Sequence, residues 1–458
     1  MKALFFLRHY NDIDHITPVI SKWIESGHHC DVVLVGHPKF RSDYRIEFLS
    51  KLDRVRLAHI RDLLPAPEFL RWRLQMLLLV NSIRRVFLIG RLVGLLAQTY
   101  DAKRRERIWR STARRLLEHS FEEGGEGVVV FDWITRDSPV SVEWVETIVA
   151  TARNMGFGAV SLPHGDSPHA NRLIRQYEWN PKPDNLFSAA RIFDKLVVPN
   201  ELCATRFRPF LEDESIAVLG SPRYCDEWLG KLAKLSPALP TLPTLPTLPS
   251  GTGSGDRLKI VMFLRKSNFT TFWEEVEEVV GMIAAFPGVE LVIKPHTRGG
   301  WRQPLTRNAS LRRLTNVSVA ADSVHSIPLM NWADVIIDLA TSVVFEAVKA
   351  KKPVLAADYL HAGRSALAHF MPETELKCRD DVYMRINQFL SSGCDSFYVE
   401  EHRQRFIEEM LHVGGADVLP RYVALLEGQA GKISREKGKQ AQVYEKEKEE
   451  LALVELAG

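Results

Sequence analysis

Long apolar runs are missing from this chain. Nowhere do about 18 uninterrupted apolar residues follow one another, the length a helix needs to cross a hydrocarbon core, so no spanning helix is expected. Cysteine is scarce: Cys30, Cys203, Cys225, Cys378 and Cys394 are odd in number, far apart and form no CxxC pair. That spacing argues against a disulfide framework or a structural zinc site and fits a reducing compartment. An export signal is lacking too, because the apolar run Ala3 to Leu7 stops at Arg8, too short for a signal core and well suited to a buried strand. The expectation is a cytoplasmic protein, with at most a peripheral position at the inner face of the cytoplasmic membrane.

What is present suffices for two hydrophobic cores: 458 residues, 45% hydrophobic and 26% charged. The net charge of +3 hides an asymmetry, since residues 1–120 carry 22 Lys/Arg against 12 Asp/Glu, a balance of +10 that leaves −7 for the rest. Much of the excess lies between Phe69 and Arg115, where apolar clusters alternate with Arg71, Arg73, Arg84, Arg85 and Arg91 before the run KRRERIWRSTARR. Amphipathic helices with a cationic face are expected there, either attracted to anionic lipid or packed as an insertion with an exposed arginine face. Apart from Trp109 the run Lys103 to Arg115 lacks interleaved stacking aromatics, so nucleic acid is not an expected partner.

The stretch Ser236 to Asp256, SPALPTLPTLPTLPSGTGSGD, joins a Leu-Pro-Thr repeat to a Gly/Ser tract and reads as an exposed linker. Before it, apolar runs at Ala3–Leu7, Asp31–Val35, Gly127–Phe131, Ala159–Leu162 and Lys195–Val198 alternate with helical patterns. The rhythm returns after it, with strands at Leu258–Leu264, Val289–Lys294, Val317–Val319, Val335–Asp338 and Pro353–Ala356 and helices at about Trp273–Ala285 and Val343–Ala350. The expected fold class is α/β, with two Rossmann-like domains. Residues 1–235 form the first, with a helical insertion at about 66–120; 236–256 link; 257–430 form the second; 431–458 are a charged tail.

In open α/β sheets ligands bind beyond the carboxyl ends of the strands, so polar residues that follow apolar runs are the candidates. After Val335–Asp338 come Leu339, Ala340, Thr341 and Ser342, a small-residue turn whose amides and hydroxyls suit a pyrophosphate, with Glu346 placed for a ribose hydroxyl. An ordinary N-cap with a first-turn acid would read the same. Lys294, His296 and Arg298 follow another strand and suit a phosphate, as does Arg265 with Lys266, Ser267 and Asn268. In the first domain His164 follows Ala159–Leu162 and is a candidate general base, with Asp166 or His169 to orient it; a lone loop histidine is also a common structural residue. Arg8, His9, Asn11 and Asp12 follow the first strand and, with Arg223, are candidates on the acceptor side. Asp12 and Asp14 spell DxD, a weak pointer to metal, and no metal site is expected.

Together these residues resemble the GT-B superfamily, and more narrowly the CDP-glycerol glycerophosphotransferase-like and surface polysaccharide transferases. The likeness is carried by His164–Gly165, GSPR at Gly220–Arg223, KPH at Lys294–His296 and ADVIIDLATSVVFEAVKAKKPVL at Ala333–Leu355. It implies two Rossmann-like domains facing a central cleft and metal-independent transfer from a nucleotide-activated donor, CDP-, CMP- or UDP-linked, to a cell-surface glycan or lipid-linked acceptor, with no other cofactor. It also implies His164 as base and Lys294, His296, Thr341, Ser342 and Glu346 as donor contacts. Where the glycerophosphotransferases carry an aspartate-rich loop, this chain has Asp338, Leu339, Ala340, Thr341, Ser342. Two other readings share the architecture, a UDP-sugar 2-epimerase-like enzyme and a non-catalytic nucleotide-sugar-binding or assembly protein.

Overall fold

The computed structural model describes residues 1–36, 41–79, 102–122, 125–136, 138, 140–165, 184–236, 257–265, 269–296, 314–321 and 324–430. The linker beyond Ser236, the charged tail, Lys266, Ser267 and Asn268, and the candidates Asp166, His169 and Arg298 lie outside the described residues. The chain divides into two compact units, one holding the described residues of Met1–Gly165, Pro183–Trp228 and His412–Gly458, the other those of Leu229–Leu411.

In the first unit β1 (Lys2–Leu7), β2 (His29–Leu34), β3 (Val55–His59), β4 (Gly127–Asp132), β5 (Gly158–Leu162), β6 (Lys195–Val198) and β7 (Ile216–Val218) form one parallel sheet. Its order is β3-β2-β1-β4-β5-β6-β7. The central strands are nearly continuous apolar runs because helices cover both faces of such a sheet. Phe6 of β1 stacks on Phe131 of β4 with ring centroids 4.3 Å apart, and Trp144 of the helix Val142–Met155 meets Phe6 edge-on.

The basic insertion joins that core. Helix α1 (Ala66–Leu79) buries Phe69, Trp72 and Met76, and helix α2 (Ala102–Ser120) buries Trp109, Ala113, Leu116 and Leu117 in the same cluster. The arginines of α2 are largely neutralised in place: Arg105 pairs with Glu143, Arg110 with Glu106, Arg114 with Glu118 and Arg115 with Glu68. The outer face of α1 exposes Leu70, Leu74 and Leu77 at helical spacing beside the exposed Arg71 and Arg73. No helix among the described residues is long and apolar enough to cross a membrane.

The helix at residues 418–430 follows the second sheet in sequence yet packs within the first unit. Tyr422 Oη donates to the Gly220 carbonyl at 2.7 Å, and His28 Nε2 lies 2.7 Å from Glu427 Oε1. The close approach explains the glycine that opens β5: a Cβ on Gly158 would sit 2.7 Å from the Gln429 carbonyl oxygen.

In the second unit β8 (Leu258–Phe263), β9 (Val289–Lys294), β10 (Val317–Val319), β11 (Val335–Asp338) and β12 (Val354–Ala356) form a parallel sheet in the order β10-β9-β8-β11-β12. The chain moves outward from β8 in one direction and then restarts at β11 on its other side, so the carboxyl ends of β8 and β11 flank a topological switch point. The segment AKKPVL has a structural explanation here. Lys352 Nζ donates to the carbonyls of Met330, Asn331 and Ala333 at 2.6, 2.8 and 2.5 Å and closes the carboxyl end of helix α3 (Ser326–Trp332). Its own carbonyl accepts from Tyr398 Oη at 2.7 Å.

Lys352→Met removes three charge-assisted hydrogen bonds from that helix end, and urea unfolding is expected to show a loss of about 2 kcal/mol with the far-ultraviolet circular dichroism of the native state retained.

Candidate functional site

The carboxyl ends of β1, β4 and β5 bring four charged side chains together. Asp12 stands in the first turn of the helix Tyr10–Glu25, where its Oδ2 accepts the backbone N–H of Arg8 at 2.7 Å and of His9 at 2.9 Å. A carboxylate at this position satisfies amides that a helix start leaves unpaired. Asp132 closes β4, and its Oδ1 accepts Arg8 Nε at 2.6 Å and a second bond from the same guanidinium. Arg8 also donates to the Trp133 carbonyl at 3.1 Å and to the Ser138 hydroxyl. His164, two residues beyond β5, turns Nδ1 toward both acids: it donates to Asp132 Oδ2 at 2.8 Å and to Asp12 Oδ1 at 3.1 Å. Nε2 on the far side of the ring faces the Asn11 amide at 3.2 Å, and the His9 ring meets the His164 ring edge-on.

The electrostatics follow from burial and pairing. Burial alone would lower the His164 ring, but the hydrogen bonds and charges of Asp12 and Asp132 outweigh it and raise the pKa to about 9. Burial, joined by the like charge of Asp132, pushes the Asp12 carboxyl up to about 6 against the pull of His164 and Arg8. Burial would raise Asp132 as well, but Arg8 and His164 prevail and hold it below the usual carboxylate range. This is an imidazole fixed in its Nδ1–H form by two acids, with Nε2 left to exchange a proton.

The two acids of the DxD string part company. Asp14 pairs with Arg45 and lies 3.3 Å from Arg223 Nη1, while Asp12 turns to His164. Arg8 is a buried partner of Asp132, with its guanidinium also bonded to the Trp133 carbonyl and the Ser138 hydroxyl. Asp132 is the residue that sequence reasoning missed, although it ends the apolar run GVVVF and met the rule applied to the other candidates. Asp12, Asp132 and His164 each offer one ligand atom within 4.8 Å of the others, enough to hold a metal ion. The same two carboxylates are hydrogen-bonded by His164 Nδ1, and that of Asp132 also by the Arg8 guanidinium.

In the second unit the switch point is built around Arg265, two residues beyond β8. Its side chain is buried, stacks on the Phe269 ring at 5.0 Å, and has no hydrogen-bond partner among the described residues at Nε, Nη1 or Nη2. Asp338 at the end of β11 accepts the Thr341 amide at 3.0 Å and the Thr341 hydroxyl at 2.6 Å, so Thr341 serves the turn and its donors are not free for a phosphate. The turn places Ala340 at φ 57°, a left-handed conformation uncommon for a residue with a Cβ. Burial pushes Asp338 up to about 7 despite those bonds. Lys294, at the end of β9, is buried with Nζ donating to the Ala321 carbonyl at 3.2 Å. His296, Ser342 and Glu346 are half-buried and have partners of their own.

No protein-family model matches the chain, and no curated protein matches it in sequence. Its fold is similar to that of the UDP-GlcNAc 2-epimerase from Neisseria meningitidis bound to UDP-GlcNAc, with a TM-score of 0.52 and 13% identity over 94% of this chain and 100% of that one. Another UDP-N-acetylglucosamine 2-epimerase aligns with a TM-score of 0.53 and 11% identity, covering 94% and 96% of the two chains. The E. coli trehalose-6-phosphate structure bound with UDP-2-fluoro glucose aligns with a TM-score of 0.52 and 10% identity, covering 94% and 99%. At such identities the likeness speaks for the fold: two Rossmann-like parallel sheets in series, the GT-B architecture.

Proposed function

We propose that this chain is a transferase that uses a nucleotide-activated sugar or polyol phosphate. In this reading the second unit holds the donor and His164 of the first accepts the proton of an acceptor hydroxyl. The observation that carries the reading is the buried guanidinium of Arg265 without a partner at the β8/β11 switch point. Leaving such a group unpaired costs about 1–3 kcal/mol or more, a cost that a phosphate oxygen would offset. The proteins of similar fold bound to UDP-GlcNAc and to UDP-2-fluoro glucose support a UDP-linked donor. Asp12 and Asp132 favour a transferase's base at His164, since they orient the ring and stabilise the imidazolium that forms when Nε2 takes a proton. The acceptor would be a surface glycan or a lipid-linked precursor, approached through the leucine face of α1, where Arg71 and Arg73 stand ready for anionic headgroups.

The two halves of the reading are separable by experiment. In a thermal-shift and calorimetric screen of UDP, CDP, GDP and their conjugates, at least one nucleotide is expected to stabilise the protein, and Arg265→Gln to weaken its binding by about 10-fold or more. A wild-type protein indifferent to all of them removes the donor assignment. His164→Ala is expected to lower nucleotide release from donor plus acceptor by about 10²–10⁴-fold while leaving nucleotide affinity within a factor of about two. Conversion of UDP-N-acetylglucosamine to its 2-epimer with no acceptor present would instead favour the epimerase reading.

The proton assignment has its own readout. Because the acids raise the folded-state pKa, His164 stays protonated at neutral pH and becomes a base only as the pH climbs toward about 9. Imidazole NMR is expected to place its midpoint there, and Asp132→Asn, which removes an anion, to move it down by about 1–3 units. An unmoved midpoint contradicts the dyad.

For the membrane approach, cosedimentation with anionic liposomes is expected to fall several-fold on replacing Leu70, Leu74 and Leu77 with Ser and to weaken with salt. Equal sedimentation of wild type and variant would remove this part of the reading.

A further inference from the structure

A second group of unpaired polar atoms lies beside Arg265. The segments after β8 and after β12 are clamped together: Thr271 and His361 form a β-bridge, Phe272 N–H donates to the Leu360 carbonyl at 3.0 Å, and Ala362 N–H to the Thr270 carbonyl at 3.2 Å. The clamp holds His361 inside the protein, 3% exposed, with neither ring nitrogen hydrogen-bonded among the described residues. Asp358 Oδ1 is equally without a partner; it lies 3.4 Å from His361 Nε2 but misaligned for a hydrogen bond, while its Oδ2 accepts the Ser365 amide at 2.8 Å. Arg265 is near enough to both for its charge to be felt at each.

These groups specify the chemistry of what would complete them. Arg265 offers only donors, which suits an anion. Asp358 offers only an acceptor, and its negative charge disfavours a second phosphate in its corner. Burial lowers the His361 pKa, though Asp358 opposes it, so the ring is neutral, with one nitrogen to donate and one to accept. A hydroxyl, donor and acceptor at once, satisfies both residues.

We infer that Asp358 and His361 bind hydroxyl groups of the polyhydroxylated moiety, sugar or polyol, whose phosphate is held by Arg265. The inference rests on the donor reading above and deepens it, because it assigns recognition of the transferred group to residues outside every motif noted in the sequence. Neither residue takes part in bond making; both select what is carried.

The test compares each nucleotide with its own conjugate by titration calorimetry on the full chain: UDP with UDP-N-acetylglucosamine, and CDP with CDP-glycerol. In the wild type a conjugate is expected to bind more tightly than its nucleotide. His361→Ala is expected to cut that preference about tenfold and Asp358→Asn several-fold, both with a far smaller change in affinity for the bare nucleotide. His361→Gln, which keeps a donor and an acceptor, is expected to restore part of the preference and guards against misfolding of the alanine variant, as does circular dichroism of each protein. If folded variants keep the full preference, or lose nucleotide and conjugate affinity equally, the hydroxyl assignment is wrong while the donor reading stands. If the wild type binds neither these four ligands nor GDP and its conjugates, the donor reading fails and takes this inference with it.

Discussion

The first unit depends on a buried ionic group in which no charge is left alone. Arg8 and Asp132 are both withdrawn from water, a state that costs several kcal/mol per ion unless each finds opposite charge and hydrogen bonds. They find it in one another, in the Trp133 carbonyl that accepts from Arg8 and in the His164 Nδ1 that donates to Asp132, while Asp12 beside them is held by the amides of Arg8 and His9. His164 is the variable member, since its ring gains or loses a proton while the frame around it stays paired. Removing any one of the three fixed residues would leave another with an uncompensated charge, so the site is rigid for the same reason that it is chemically poised.

Strand order is what permits the arrangement. Asp12 and His164 are 152 positions apart, yet they meet because β1 pairs β4 and β4 pairs β5, all parallel. The register sets Asp132 opposite Leu162, and the two residues that follow carry His164 over the end of the sheet. In the second unit the same logic places Arg265 and Asp338, which follow neighbouring strands, on either side of the switch point, since Phe263 stands opposite Asp338.

Much of this was legible in the amino-acid order. Buried strands reveal themselves as apolar runs, and ten of the twelve strands lie where such runs predict them. The two that escaped, β3 and β7, are the edge strands of the first sheet and only partly buried: VRLAH is interrupted by charge, and IAV is apolar but only three residues long. His164 and Arg265 were legible because each follows a strand. Their partners were not: the approach of Asp132 to the histidine, and the parting of Asp12 from Asp14, depend on which strands are neighbours and which way a helix face turns. Thr341 and Lys352 show the converse difficulty. Both belong to the segment that most resembles a transferase, and both spend their hydrogen bonds on the fold, Thr341 on Asp338 and Lys352 on the end of a helix. A motif can persist because a turn needs it as readily as because a ligand does.

The two units therefore solve the problem of buried polarity in opposite ways. At Asp12, Asp132 and His164 the protein supplies both sides of every interaction, so the geometry exists before anything binds and the energy of pairing is spent on folding. At the Arg265 guanidinium, the His361 ring nitrogens and Asp358 Oδ1 it supplies one side only among the described residues, and the energy of pairing is withheld. Withheld energy is what a ligand can collect, and in the proposed reading that ligand carries an anionic group and hydroxyls in the complementary arrangement. A preformed site favours a fixed proton-transfer geometry, which must not vary from one turnover to the next. An incomplete site favours discrimination, because a molecule lacking one hydroxyl leaves a buried carboxylate or imidazole unpaired and forfeits more than the contact itself. In the proposed reading, chemistry common to every acceptor falls to the first unit and recognition of the donor to the second.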